Sequence, residues 1–222
     1  MNFTAIFAII TAAVFVGTFF IWLFFGHGLD KIRNPSEWKS IGSAGERTVF
    51  LTLKHKFNVP DNQILRNVYI PTIDGGTSEI DILVVSKKGL LVFECKNYGG
   101  NIYGDINKKQ WLQYIGDKKY HPHNPFLQNR THVKHLENYL GEEFGELPII
   151  PFVVTIARGK WKVRNLGSDD YLLGYNCKFA DLYKKLEDSE LMAKNFKKIL
   201  QKLTPLERPG EDIQQKTYRF DC

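Results

Sequence analysis

Glu79-Ile80-Asp81-Ile82-Leu83-Val84-Val85-Ser86, then Lys87-Lys88-Gly89, then Leu90-Leu91-Val92-Phe93-Glu94-Cys95-Lys96, reads as two β-rich runs joined by a tight turn. A two-residue turn at Lys87-Lys88 sets Asp81 opposite Glu94, and one at Lys88-Gly89 sets it opposite Lys96. Both registers stay open, and either puts Asp81, Glu94 and Lys96 on one face, because strand side chains alternate with a period of two. The rest of the ribbon is apolar on both sides. Ile80, Ile82, Val84, Leu91 and Phe93 are expected on one face, and Leu83, Val85, Leu90 and Val92 on the other.

Two carboxylates and an ammonium inside such a ribbon require pairing or a metal, since an unpaired buried charge is strongly unfavourable. A structural ion pair accounts for Lys96 and one acid but leaves the second acid repelled by the first; a divalent cation satisfies both. Hard oxygen donors suit Mg²⁺ or Mn²⁺, with Asp81, Glu94 and the Cys95 backbone carbonyl as ligands and the Cys95 thiol on the opposite face. Phosphodiester hydrolysis matches that site, with Lys96 orienting water or neutralising developing charge. An E-x-K triplet alone is weak, so its context decides.

On the N-terminal side, Ser43 to Phe57 carries Val49, Leu53 and Phe57 at helical spacing, with Ser43 as N-cap and Glu46 at N3 of a capping box. Strands are expected at Ile64–Ile70, Ile80–Ser86, Leu90–Lys96 and Asn101–Ile106, with Lys109–Tyr114 as another, all in one sheet. Phe126–Leu140 returns to helical spacing. Pro148–Ile156 and Trp161–Val163 read as strands, and Phe179–Leu186 and Leu191–Leu203 as helices. The fold class is therefore α/β, a mixed β-sheet flanked by helices.

Before Asp30 the chain has no Lys, Arg, Asp or Glu, and Phe3 to Phe25 is an uncharged run. Its 23 residues span roughly 35 Å as a helix, enough for a hydrocarbon core of about 30 Å. It lacks the basic n-region and A-x-A site of a cleaved signal peptide. Lys31, Arg33 and Lys39 follow it, so the positive-inside tendency places the C-terminal body in the cytoplasm of a single-pass cell-membrane protein. The expected divisions are 1–26 anchor, 27–41 linker, 42–204 globular domain and 205–222 polar tail.

The 222 residues, 43% hydrophobic and 24% charged, exclude wholesale disorder. Thirty Lys+Arg against 24 Asp+Glu give +6, which permits an anionic partner without identifying one. Three cysteines without a C-x-x-C pair support neither a disulfide scaffold nor a zinc module. His121 and His123, and His132 and His135, are read as packing or site polarity ahead of zinc ligands. Arg158, Lys160, Trp161, Lys162 and Arg164 combine four cations with an indole and form a candidate grip for a nucleic-acid backbone or anionic lipid headgroups, with an unpartnered exposed strand or loop as the alternative.

Gly45-Glu46, Glu79-Ile80-Asp81, Gly89, Phe93-Glu94-Cys95-Lys96-Asn97, Gly100-Asn101-Ile102, Trp111 and Asn124-Pro125-Phe126-Leu127-Gln128-Asn129, in this order across residues 40 to 155, resemble the nuclease-related domain, NERD. That family is similar to the PD-(D/E)XK nucleases. The resemblance implies a restriction-endonuclease-like core, Glu46 as a helix acid near the metal, Asp81 and Glu94 as ligands, Lys96 as the catalytic lysine, and Gln128 as a polar group facing the site. The capping-box reading of Glu46 stays open beside it. The expected function is a membrane-anchored, metal-dependent nuclease acting on nucleic acid, DNA ahead of RNA. The alternative is a non-catalytic binding module, scaffold or sensor on the same fold.

Overall fold

A computed structural model describes residues 41–156, 159–174 and 179–208. The run Phe3–Phe25, the linker up to residue 40, Arg158, Cys177 and the tail beyond residue 208 lie outside the described residues. Among the described residues, no helix is long and apolar enough to cross a membrane.

The helices are α1 (Ile41–Leu51), α2 (Pro125–Leu140), α3 (Phe179–Lys185) and α4 (Glu190–Leu203). The strands are β1 (Ile64–Pro71), β2 (Thr77–Ser86), β3 (Gly89–Lys96), β4 (Asn101–Asp105), β5 (Leu112–Ile115), β6 (Lys118–Tyr120), β7 (Ile149–Thr155), β8 (Lys160–Arg164) and β9 (Tyr171–Leu173). Helix α1 continues into a π-helical turn, Thr52–Lys56, and the ladder widens where the Thr52 hydroxyl donates to the Thr48 carbonyl. Because α1 begins at Ile41, Ser43 lies inside the helix and is not its N-cap, which removes the capping-box reading of Glu46.

The strands form two sheets, where the sequence pattern suggested one. The first has the order β1-β2-β3-β7-β9, antiparallel through β3 and parallel beyond it. The second has the order β6-β5-β4-β8, with β4 and β8 parallel. The chain leaves the first sheet after Lys96 through Gly100, at φ +75°, where a Cβ would stand 2.0 Å from the Tyr114 carbonyl oxygen. Only glycine allows the approach that lets β4 pair with β5.

Both faces of the first sheet are covered, giving three layers. Leu83, Val85, Leu90 and Val92 pack with Leu136 and Leu140 of α2 and Met192, Ile199 and Leu203 of α4. Ile82, Val84, Leu91 and Phe93 pack with Val49 of α1, Leu53 of the π turn and Phe179 of α3. Burying large apolar side chains on both sides stabilises each by about 1.5–3 kcal/mol and makes β2 and β3 the rigid centre of the molecule. A third cluster, Ile102, Ile106, Trp111, Phe126 and Val153, joins the second sheet to α2 and β7.

Asn124 fixes where α2 begins. Its Oδ1 accepts from the Phe126 amide at 2.9 Å, while its Nδ2 donates to the Ile106 and Lys108 carbonyls at 2.9 and 2.8 Å. The residue is fully buried. Asn124→Ala removes a helix cap and leaves the buried Ile106 carbonyl and the partly buried Lys108 carbonyl without this donor, so it is expected to cost about 3 kcal/mol in urea unfolding. A loss below about 1 kcal/mol would show that water replaces the amide.

Candidate active site

The β2–β3 ladder has the register with Lys87-Lys88 as the turn, and it ends at Ile82↔Phe93. Glu94, Cys95 and Lys96 continue in register only with β7. Across the gap, Asp81 Oδ2 accepts the Cys95 amide at 2.7 Å. Ile80 departs from its expected face: it packs with Leu83 and Val85, not with Ile82 and Val84. The inversion falls at Asp81, whose neighbour position on β1 is Asn67, a non-glycine residue at φ +48° between the Arg66↔Ile82 and Val68↔Ile80 pairs. A left-handed residue in a strand interrupts its alternation, and Asp81 sits at that interruption.

Glu94 shares the face of Leu90 and Val92 and is 1% exposed. Lys96 Nζ lies 2.5 Å from Glu94 Oε1, and His132 Nε2 of α2 lies 3.3 Å from Glu94 Oε2. The other nitrogen of His132 is 2.7 Å from the Ser78 hydroxyl, so one imidazole ties β2 to the Glu94 carboxylate. The Cys95 side chain packs with the α1-facing cluster, on the opposite side. Glu46 comes from α1 and interacts with Glu79, Glu94 and Lys96. Gly45, just before it, packs closely on Ile156: a Cβ there would meet Ile156 Cδ1 at 2.8 Å, so the isoleucine side chain would have to shift.

The structure thus brings Glu46, Glu79, Asp81, Glu94 and Lys96 into one electrostatic cluster. Burial, then repulsion from Glu94, pushes the Asp81 carboxyl well above the usual range, with Lys96 opposing. For Glu94 burial acts upward too, but Lys96 and His132 overcome it and hold its pKa below the ordinary value. Burial acts downward on the Lys96 ammonium, and Glu94 and Asp81 outweigh it, so its pKa is raised above the ordinary lysine value. Four carboxyl groups thus share one lysine, and burial and mutual repulsion raise the pKa of Glu46, Glu79 and Asp81.

Burial, followed by Glu79 and Glu94, pushes Glu46 up to about 7 from 4.5. A carboxyl whose folded pKa exceeds its unfolded value contributes stability at low pH that is lost as pH rises between the two. Relative to the parent, metal-free Glu46→Gln is therefore expected to gain roughly 2–4 °C in Tm on going from pH 5 to pH 8, the shift that about 1 kcal/mol produces at this size. A pH-independent difference would contradict the assigned environment of Glu46.

Gln128 lies one helical turn before His132 on α2, but among the described residues no side-chain hydrogen bond joins it to the acids. On β8, Lys160, Lys162 and Arg164 are exposed whereas Trp161 turns inward, stacked on Tyr98 at 5.9 Å and edge-on to Trp111 at 5.8 Å. Trp161 is thus a packing residue, separated from its neighbouring cations by strand alternation. Several neighbours were not singled out as site residues from sequence. Glu79, which interacts with Tyr69 and Asn67, had its signal two positions before Asp81. Asn129 donates to the Val92 and Phe152 carbonyls at 3.1 and 3.0 Å, clamping β3 to β7, and only its place in the Asn124–Asn129 motif pointed to it.

Among the described residues, no group of three or more His, Cys, Asp or Glu side chains is arranged to hold a metal. The donor set still fits a hard cation of the Mg²⁺ type, which commonly uses one or two carboxylates and keeps several waters. Asp81 and Glu94 would supply two such carboxylates, Asp81 repelled by Glu94 where a cation would attract both.

A family model described as the nuclease-related domain matches residues 41–156. An uncharacterized protein of Bacillus anthracis is 33% identical over 192 residues, covering 85% of this chain and 86% of the relative. No solved structure gives a significant match. The matched region holds all five members of the acidic cluster.

Proposed function

The chain belongs to the nuclease-related domain family, whose likeness is to the PD-(D/E)XK nucleases, and from that premise we propose that it hydrolyses phosphodiester bonds of nucleic acid, DNA ahead of RNA, with Mg²⁺ or Mn²⁺. The observation that carries the reading is the convergence of Asp81, Glu94 and Glu46 on a single buried lysine at the open end of the β2–β3 ladder. Asp81, Glu94 and the Cys95 carbonyl would hold the cation, which when bound stabilises charge on a phosphate oxygen and acidifies water. Lys96, paired with Glu94, would act as a donor that orients the attacking water or neutralises charge on the phosphoryl oxygens. His132, held by Ser78, fixes the orientation of the Glu94 carboxylate. Glu46 completes the acidic wall from the α1 side, and Gln128 would face the substrate from α2.

A non-catalytic module is the second reading, and one observation favours it. Both Glu94 oxygens and one Asp81 oxygen have protein partners, so the cluster has internal compensation without a cation. Incubating the full chain with labelled DNA and RNA, in Mg²⁺, Mn²⁺ or EDTA, separates the two. Metal-dependent cleavage that disappears in Glu94→Gln supports hydrolysis; binding without cleavage under every condition supports the module.

For the cell, the proposal places Phe3–Phe25 as a single membrane span with the body from residue 42 onward in the cytoplasm. Retention in the membrane fraction after alkaline carbonate extraction, with loss on deleting residues 1–26, tests the anchor.

A further inference from the structure

The second sheet has an outward face that the hydrolytic site does not use. Register places Lys119 beside Tyr114, Tyr114 beside Asn101, and Asn101 beside Lys160; one row along, Leu112, Tyr103 and Lys162 are neighbours, and then Asp105 and Arg164. Strand alternation therefore puts Tyr103, Tyr114, Lys119, Lys160, Lys162 and Arg164 on one side. The opposite side carries Ile102, Trp161 and Val163 into the third apolar cluster.

Tyr103 and Tyr114 are 40% and 37% exposed and meet edge to face at 6.1 Å. Lys162 Nζ lies 5.6 Å from the Tyr103 ring. Both rings, Lys119, Lys162 and Arg164 line a groove of about 820 Å³. Asp105, the acid of this face, is engaged by Asn165 at 3.2 Å and by Arg164 at 3.7 Å. Four cations against one acid leave the face positive.

We propose that this face binds single-stranded nucleic acid, bases stacking on Tyr103 and Tyr114 and phosphates lying along Lys119, Lys160, Lys162 and Arg164. The inference rests on the nucleic-acid reading above and adds the strand type. Two aromatic faces among cations are the pairing that stacks unpaired bases while tracking a backbone; a duplex keeps its base faces hidden and offers only phosphates. A groove lined by rings suits a single strand, and the two tyrosines give unpaired bases a contact that lipid headgroups lack.

The test is fluorescence anisotropy of the full chain in detergent micelles with EDTA, using a labelled single strand of about 20 nucleotides and the matching duplex. The single strand is expected to bind more tightly. Tyr103→Ala and Tyr114→Ala should each weaken it roughly 5- to 100-fold, as loss of a stacked base does. Lys162→Ala should lower the slope of log affinity against log salt by about 0.7, whereas Lys197→Ala, exposed on α4, leaves it unchanged. Circular dichroism of each variant excludes misfolding. Equal affinity for duplex, or tyrosine variants that bind like the parent, overturns the proposal, as does displacement of the strand by phosphatidylglycerol doped into the micelles. Cleavage is read separately in Mg²⁺: tyrosine-dependent binding without cleavage sinks the hydrolytic reading and spares this one, and cleavage with tyrosine-independent binding does the reverse.

Discussion

Lys96→Ala is expected to lower the stability of the metal-free protein by about 3–5 kcal/mol at pH 8, the cost of leaving a buried charge without its partner. Glu94 is 1% exposed and Lys96 Nζ stands 2.5 Å from its Oε1, so removal of the ammonium leaves the carboxylate with His132 alone. The loss should shrink at pH 5. Without Lys96, burial raises the Glu94 pKa, and a carboxyl with a raised folded pKa regains stability as pH falls through that value. Urea unfolding at both pH values measures this, and the double change Glu94→Gln with Lys96→Met should recover most of the loss, because a neutral pair needs no counter-charge. A loss below about 1 kcal/mol at pH 8 would mean that the pair is solvated and the site less enclosed than described.

Asp81→Asn should separate stability from activity. The Asp81 carboxylate is opposed by burial and by Glu94, so a neutral amide relieves both while its oxygen can still accept the Cys95 amide. The metal-free variant is therefore expected to be more stable than the parent at pH 8, by roughly 1 kcal/mol, and to lose cleavage by about 10²–10³-fold, the scale of removing one group that stabilises transition-state charge. Thermal unfolding in EDTA and a cleavage time course in Mg²⁺ give the two readings. A variant that is both less stable and fully active would place Asp81 in a structural role.

Much of this arrangement was legible along the chain because it is local. A two-residue turn within Lys87-Lys88-Gly89 and the sharing of one face by Glu94 and Lys96 follow from a period of two and a short loop, whereas the choice of Lys87-Lys88 came from the structure. Ile80 broke the pattern because the inversion depends on Asn67 of a neighbouring strand, and single-strand alternation carries no such information. Strand propensity identified Asn101–Ile106 but not its partner, so the second sheet was merged with the first. The inward turn of Trp161 was readable from the alternation of Lys160, Lys162 and Arg164; grouping by composition hid it. Contacts across the fold, such as His132 to Glu94 and Asn129 to the β3 and β7 carbonyls, depend on how α2 lies over the sheet. Glu46 joined the acids on family resemblance alone, since its approach depends on how α1 packs against the sheet.

Calorimetric titration of Mn²⁺ into the full chain and its Asp81→Asn and Glu94→Gln variants at pH 8 tests most directly whether this acidic cluster holds a divalent cation. The account predicts one bound ion per parent chain and at least about tenfold weaker binding in each variant. Equal binding by parent and variants, or no heat from any of them at millimolar Mn²⁺, would contradict it.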